Sequence, residues 1–303
     1  MLSKNMLDLI GNTPLVRLDR INPNPKVNIF AKLESYNPSG SLKDRIALYM
    51  IESAEKKGLL DPKKTIIEAT SGNTGIALGM VCAVKGYKCK LFMLESKSLE
   101  RRFLLRYWGA ELVLTTKDDA DSHIYAAKKL IKDEPDKYFY IDQNENEDNV
   151  KAHYNGTGRE IIKDLDGKVD AFIAGFGTGG VLMGVGAALK EAKSNARIIA
   201  VEPSKAISKI DGLKFSGEGY IPTIFHSDKI DETARVSDED AIETGKKLSK
   251  LEGIMGGISS GATVWAAIQT AKKMNSGNIV VIIGDRGERY FSTPLFEEAK
   301  KEN

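Results

Sequence analysis

Residues Asn37 to Arg45, reading Asn-Pro-Ser-Gly-Ser-Leu-Lys-Asp-Arg, set a lysine where it can do chemistry. The Pro and Gly make a turn, and the run from Leu42 to Lys57 carries apolar residues at helical spacing, so Lys43 opens a helix. The positive end of a helix dipole disfavours an ammonium there and lowers its pKa. A less protonated amine attacks carbonyl carbon, which is the task of a Schiff-base lysine. The plain alternative is a surface lysine, one of 44 Lys and Arg residues, so the reading needs support from elsewhere in the chain.

Three further stretches put small residues where a strand meets a helix. Glu68-Ala-Thr-Ser-Gly-Asn-Thr-Gly75 gathers hydroxyl and amide groups beside the free N–H groups of a helix start, a natural anion site. A capped helix with no ligand is its alternative reading. Gly175-Phe-Gly-Thr-Gly-Gly180 follows an apolar strand, and its glycines let successive N–H groups wrap a phosphate. A nicotinamide-dependent enzyme stays open as an alternative, since Glu202 follows the next strand, although the spacing lacks a clean G-x-G-x-x-G register. Gly256 to Ala262 enters a third helix and could present Ser259 to a ring nitrogen. Gly284-Asp-Arg-Gly-Glu-Arg-Tyr290 ends the last strong strand, where Asp285 and Arg286 could be no more than a surface ion pair.

The elements that carry these stretches alternate. Early strands are expected at Leu15 to Leu18 and Val27 to Leu33, then the Lys43 helix. Strands follow at Thr65 to Glu68, Lys88 to Leu94, Glu111 to Leu114 and Tyr138 to Ile141, with helices at Thr74 to Lys85, Leu99 to Trp108 and Asp119 to Lys132 between them. After the polar run Gln143 to Asn149, read as a connection, come strands at Val169 to Ala174, Arg197 to Val201 and Asn278 to Ile283. Their helices are expected at Gly180 to Ala192, Asp238 to Leu251 and Gly261 to Met274, with a loop at Pro203 to Ser227. The pattern predicts an α/β chain with two parallel-sheet domains, 35–148 and 149–303, the second also taking the strands within 10–34. Ligands would bind in the cleft between them, beyond the carboxyl ends of the strands.

Composition narrows the classes. The 303 residues carry 44 basic and 42 acidic side chains scattered throughout, a net charge of +2 that supports neither a nucleic-acid nor a membrane face. No apolar run reaches the roughly 18 residues of a membrane span, and the first residues lack a signal core, so a cytoplasmic protein is expected. Cys82 and Cys89 read as reduced, packed thiols. His123, His153 and His226 have no ligand spacing, so no metal is expected.

Together these stretches resemble the cysteine synthase family of pyridoxal phosphate (PLP) enzymes over nearly the whole chain. The resemblance runs from I-G-N-T-P-L-V-R-L at Ile10 to Leu18 through N-P-S-G-S-L-K-D-R, E-A-T-S-G-N-T-G-I-A-L, E-R-R at Glu100 to Arg102, G-T-G-G and G-I-S-S-G-A. It ends in D-R-G-E-R-Y-F-S-T, closer to the B-type synthases. What it implies is two doubly wound parallel-sheet domains with PLP in the cleft, the fold type II architecture. Lys43 would hold PLP as a Schiff base and Asn73 would contact its ring hydroxyl. Gly177, Thr178, Gly179, Gly180 and Val181 would bind the phosphate, and Ser259, or else Asp285, would face the pyridine nitrogen. Thr70, Ser71, Thr74 and Gln143 match positions that receive the substrate carboxylate.

The implied reaction is β-replacement on O-acetyl-L-serine or L-cysteine, with sulfide as incoming nucleophile or as leaving group, in a cytoplasmic homodimer. The alternatives are a cystathionine β-synthase-like thiol addition and a silent scaffold of the same fold. Two departures from the family add polar groups: Asn144 follows Gln143 in place of an aromatic residue, and the loop Phe215 to Pro222 carries Glu218 in place of a small residue. A carboxylate there would repel hydrosulfide and could act as general base on a neutral thiol or water. Glu218 therefore tilts the expectation toward L-cysteine as β-donor, with lanthionine or serine as product, unless it points to solvent.

Overall fold

The computed structural model describes residues 2–300 apart from Ser71, residues 117–120 and Glu218. Ten strands form two sheets among the described residues. The first half of the chain runs β1 Leu15–Leu18, β2 Val27–Leu33, α1 Lys43–Lys56, β3 Thr65–Ala69, α2 Asn73–Lys85, β4 Cys89–Leu94, α3 Leu99–Tyr107, β5 Glu111–Thr115, α4 Ser122–Asp133 and β6 Tyr138–Tyr140. A helical stretch follows, α5 Glu147–Ala152, a π turn at His153–Gly158 and α6 Arg159–Asp164. The second half runs β7 Ala171–Gly175, α7 Gly180–Glu191, β8 Arg197–Pro203, β9 Glu232–Val236, α8 Asp238–Glu252, α9 Ile258–Lys273 and β10 Gly277–Ile283.

One sheet has the order β5-β4-β3-β6, all parallel. The other has the order β1-β2-β10-β7-β8-β9 and is parallel except for β1 against β2. The continuous apolar run of β10 suits its interior place, where Ile279 pairs with Ile29 on one side and Ala171 on the other. α8 and α9 cover one face of the larger sheet and α7 the other. On the smaller sheet α1 and α2 pack with α5 on one face and α4 on the other. α2 lies close because Gly79 faces the Trp108 side chain, where a Cβ would sit 2.9 Å from that of Trp108.

The two early strands and most later elements fall where their apolar patterns place them. Three differences have physical causes. The polar run Gln143 to Asn149 was expected to be only a connection, yet α5 starts inside it, capped by the Asn146 side chain accepting from the Asp148 amide. Beyond it, the small and polar residues of His153 to Gly158 hide the helix from a periodicity search, and the π turn that they form is closed by a 2.9 Å contact between His153 Nδ1 and Thr157 Oγ1. β9 was not expected, because Glu-Thr-Ala-Arg-Val is a half-exposed edge strand rather than an apolar run. α9 starts at Ile258 rather than Gly261, so Ser259 sits in its first turn. The expected start of α4 at Asp119 lies outside the described residues. Cys82 and Cys89 are free and buried, and no described helix is long and apolar enough to cross a membrane.

A buried ion cluster joins the elements behind Lys43. Arg45 reaches Glu34 at 2.6 Å and Glu160 at 2.6 Å, while Lys32 reaches Glu160 at 2.9 Å and donates to the Thr13 carbonyl at 2.7 Å. β2, α1 and α6 are thereby tied together. Burial alone would raise the Glu160 carboxyl, but hydrogen bonds and charge from Arg45 and Lys32 outweigh it and hold its pKa down at about 2, below the ordinary 4.5. The folded state thus binds fewer protons than the unfolded state between those values. This stabilisation is complete above pH 4.5 and is lost as pH falls toward 2. Glu160→Gln should lower the urea midpoint at neutral pH and flatten its decline on acidification through that window. A decline parallel to that of the parent protein would remove the cluster from any account of acid stability.

Candidate active site

Lys43 is presented by a loop that is paired with the chain just past β10. Leu42 N–H donates to the Gly284 carbonyl at 2.9 Å, Arg286 N–H donates to the Gly40 carbonyl at 3.2 Å, and Ser41 and Asp285 face each other in an antiparallel bridge. Gly40 turns the loop at φ +88°, a conformation that side chains rarely adopt. Asp44, next to the lysine, holds the loop from inside by accepting from the Ser39 amide and hydroxyl. Lys43 itself makes no hydrogen bond through its amine among the described residues and lines a cavity of about 480 Å³. Burial of the amine lowers its pKa to about 8, and the Asp285 carboxylate opposes that shift. The lowered value matches the direction expected from the sequence, and desolvation in the folded interior is its cause.

The turn from β3 into α2 forms one wall. Asn73 donates from Nδ2 to Asp285 at 2.7 Å, and Thr74 donates its hydroxyl proton to Gln143 Oε1 at 2.6 Å. Gln143 is fixed in turn by donating to the Ala69 carbonyl at 3.1 Å and, through its amide, to the buried Glu68 carboxyl at 3.2 Å. Burial and the nearby Asp142 push the Glu68 carboxyl well above the usual carboxylate range, against the N–H groups of Ala69 and Gln143 that donate to it. Asn73, Thr74 and Gln143 all line the cavity. Thr70 does not: its hydroxyl oxygen accepts from the Gly72 amide at 3.0 Å and the Gly75 amide at 3.3 Å, so it shapes the turn from behind. Ser71 lies outside the described residues.

The glycine loop between β7 and α7 forms another wall. Gly177, Thr178, Gly179 and Val181 line the cavity, and Gly180 lies just behind. Gly179 has φ +87°, and a Cβ on it would come within 2.7 Å of the Phe225 ring. A Cβ on Gly177 would sit 2.7 Å from the Gly212 carbonyl oxygen, and one on Gly180 would collide with the Asn149 side chain. Thr178 is fixed by the Asn149 amide at 3.1 Å. Backbone at the start of a full-length helix is therefore bared toward the cavity, a cradle that fits a phosphate. Ser259 lines the same cavity, and its hydroxyl has no partner among the described residues. Asp285 is buried beside it, where its Oδ2 accepts from Asn73 and, at 2.8 Å, from the Tyr290 hydroxyl, while Oδ1 has no partner.

The structure thus gathers Lys43, Asn73, Thr74, Gln143, the glycine loop, Ser259 and Asp285 round one space. Sequence reasoning missed the groups that span its mouth. Asp211, from the segment after β8, receives Lys97 at 2.8 Å and Arg101 at 2.7 Å, and the Tyr220 hydroxyl donates to Glu145 at 2.7 Å. The motif E-R-R shows no role in the sequence, and only the fold brings Arg101 to Asp211. Glu218 lies outside the described residues. Among those residues no cluster of His, Cys, Asp and Glu could hold a metal ion.

Comparisons with known proteins agree with this geometry. A family model described as pyridoxal-phosphate dependent enzyme matches residues 6–285. A cysteine synthase of Staphylococcus aureus (strain N315) is 45% identical, with 96% of each chain covered. A hydrogen sulfide-producing enzyme from Fusobacterium nucleatum is 44% identical, with a TM-score of 0.91 over 95% of this chain and 100% of that one. An O-ureido-L-serine synthase is 38% identical, with a TM-score of 0.94 over 100% of this chain and 98% of that one.

An amine with a pKa near 8 is tested by labelling. In cofactor-free protein Lys43 should react with an amine-directed acylating reagent with a half-maximal rate near pH 8, below the ordinary lysine value of 10.5. Peptide mass spectrometry reads each site. A Lys43 profile that tracks the exposed lysines would show that burial does not lower its pKa.

Proposed function

The chain belongs to the family of pyridoxal-phosphate dependent enzymes, and from that membership and the cavity we propose that it catalyses β-replacement of the cysteine synthase type. Its substrates are O-acetyl-L-serine or L-cysteine, with sulfide entering or leaving. The observation that carries this reading is that one cavity holds a lysine of lowered pKa, a phosphate-sized glycine cradle and a paired hydroxyl and amide suited to a carboxylate. Bound PLP supplies an electron sink that acidifies the α-proton of an amino acid and lets its β-substituent leave.

The chain's own groups do the rest. Lys43 carries the cofactor covalently and moves the proton at the substrate α-carbon, and both tasks need an amine that is partly unprotonated near neutral pH. N–H groups at the start of α7 take the phosphate, and Thr74 with Gln143 takes the carboxylate. Ser259 is our choice for the ring nitrogen, because its hydroxyl lines the cavity with no partner among the described residues. A neutral hydroxyl there leaves the ring uncharged and moderates the electron sink. Chain 35–148 and the remainder are proposed as the two domains that carry the cavity between them. A homodimer in the cytoplasm belongs to the same reading, supported by Leu99, Phe103 and Tyr107, exposed at four-residue spacing on α3.

A finer proposal is that cysteine is the β-donor and sulfide the product, with lanthionine or serine formed. It is supported by Glu218 in the sequence and by the likeness to the hydrogen sulfide-producing enzyme of Fusobacterium nucleatum. Lys43→Ala should keep PLP through the cradle yet lose about 10³-fold or more of turnover in both assays, sulfide consumed with O-acetylserine and sulfide released from cysteine. Turnover at the parent rate would remove Lys43 from the chemistry. Glu218→Ala should slow release from cysteine more than synthesis from sulfide. Equal loss in the two directions would return the protein to a plain synthase.

A further inference from the structure

Arg289, in the last of the sequence motifs, has no task in the reading above. Its side chain is 4% exposed, and among the described residues no carboxylate lies within ion-pair distance of it. Its Nη1 donates to Asn73 Oδ1 at 2.6 Å, and its Nη2 donates to the Ser39 carbonyl in the loop that presents Lys43. Burying a guanidinium against two neutral oxygens is costly compared with pairing it to an acid. Such a placement needs a use.

The use follows from what each group can do. An asparagine amide has an accepting end and a donating end that look alike, so its partners decide which way it faces. Arginine can only donate, so the end of Asn73 that meets Arg289 must be the oxygen. The Asp285 Oδ2 that meets the other end at 2.7 Å also accepts from the Tyr290 hydroxyl, so that end must be the nitrogen. One Nδ2 proton goes to Asp285, and the second is left for the cavity that Asn73 lines. A positive charge on the amide oxygen also draws electrons from the nitrogen and strengthens that remaining donor.

We propose that Arg289 is a positioning residue: it locks Asn73 with its Nδ2 donor toward the cavity, sharpens that donor for an anionic oxygen such as a phenolate, and holds the Lys43 loop in register with it. The close approach at Ser39 depends on Gly40, where a Cβ would sit 3.0 Å from Arg289 Nη2. One guanidinium therefore spaces the lysine against the asparagine. This inference rests on the cofactor reading above, in which the anionic oxygen is the ring hydroxyl of PLP.

The test is a double-mutant cycle on PLP affinity, measured by titrating the cofactor into stripped protein and following the fluorescence of its tryptophans. Arg289→Met should weaken PLP binding by about tenfold or more, the effect of losing a charge-assisted hydrogen bond to a buried acceptor. Arg289→Lys should restore part of it, since one donor remains. In an Asn73→Ala background Arg289→Met should cost little further affinity. If it costs as much there as in the parent protein, Arg289 acts on the fold at large and the proposal is overturned. If Asn73→Ala binds PLP as the parent does, the asparagine contact itself is wrong and the proposal goes with it. Should Arg289→Met show no melting transition without cofactor, Arg289→Lys is carried through the same cycle against the same two outcomes.

Discussion

Two backbone hydrogen bonds, from Leu42 to Gly284 and from Arg286 to Gly40, hold together residues from opposite ends of the chain. The rest of the cavity depends on them. They place the first turn of α1 against the end of β10, and so set the Lys43 amine within the field of Asp285. A helix start that was free to move would leave the lysine in water, with its ordinary charge. The hydrogen bonds from Ser39 to Asp44 and the cluster round Arg45 brace the same turn from behind.

Several ionisable groups near the cavity are pushed away from their ordinary values, and burial is the common cause. It lowers Lys43, raises Asp44 to about 6, raises Glu68 and keeps His153 neutral. Where partners are supplied, as at Glu160, their charge overcomes burial and the group stays ionised. The contrast has a chemical use. A group that must react is left without an acid in contact, while groups that must hold the scaffold are given close partners.

The mouth of the cavity is bridged by side chains from both sheets. Asp211 meets Lys97 and Arg101, and Tyr220 meets Glu145, so the segment after β8 is latched to α3 and to the chain beyond β6. Arg101 is buried and Asp211 partly so, whereas the Tyr220–Glu145 contact is exposed. Arg101 also lies over the Tyr290 ring at 4.7 Å, which carries the latch inward to Asp285.

Local pattern alone determined the α/β alternation, the strands β1 and β2 and the loops that bear glycine, serine and lysine. It could do so because apolar periodicity and the conformational needs of Pro and Gly are properties of neighbouring residues. The same residues, taken as a set, carried the family resemblance. Tertiary structure decided what depends on residues far apart in the chain: that Thr70 turns away behind its own loop, that Asp285 meets Asn73 and Tyr290, and that burial lowers the Lys43 pKa. The π turn at His153 and the edge strand β9 were hidden for a related reason, since their stability comes from what packs beside them. Hydrogen-bond direction and burial are set by partners in space, and one dimension of sequence does not contain them.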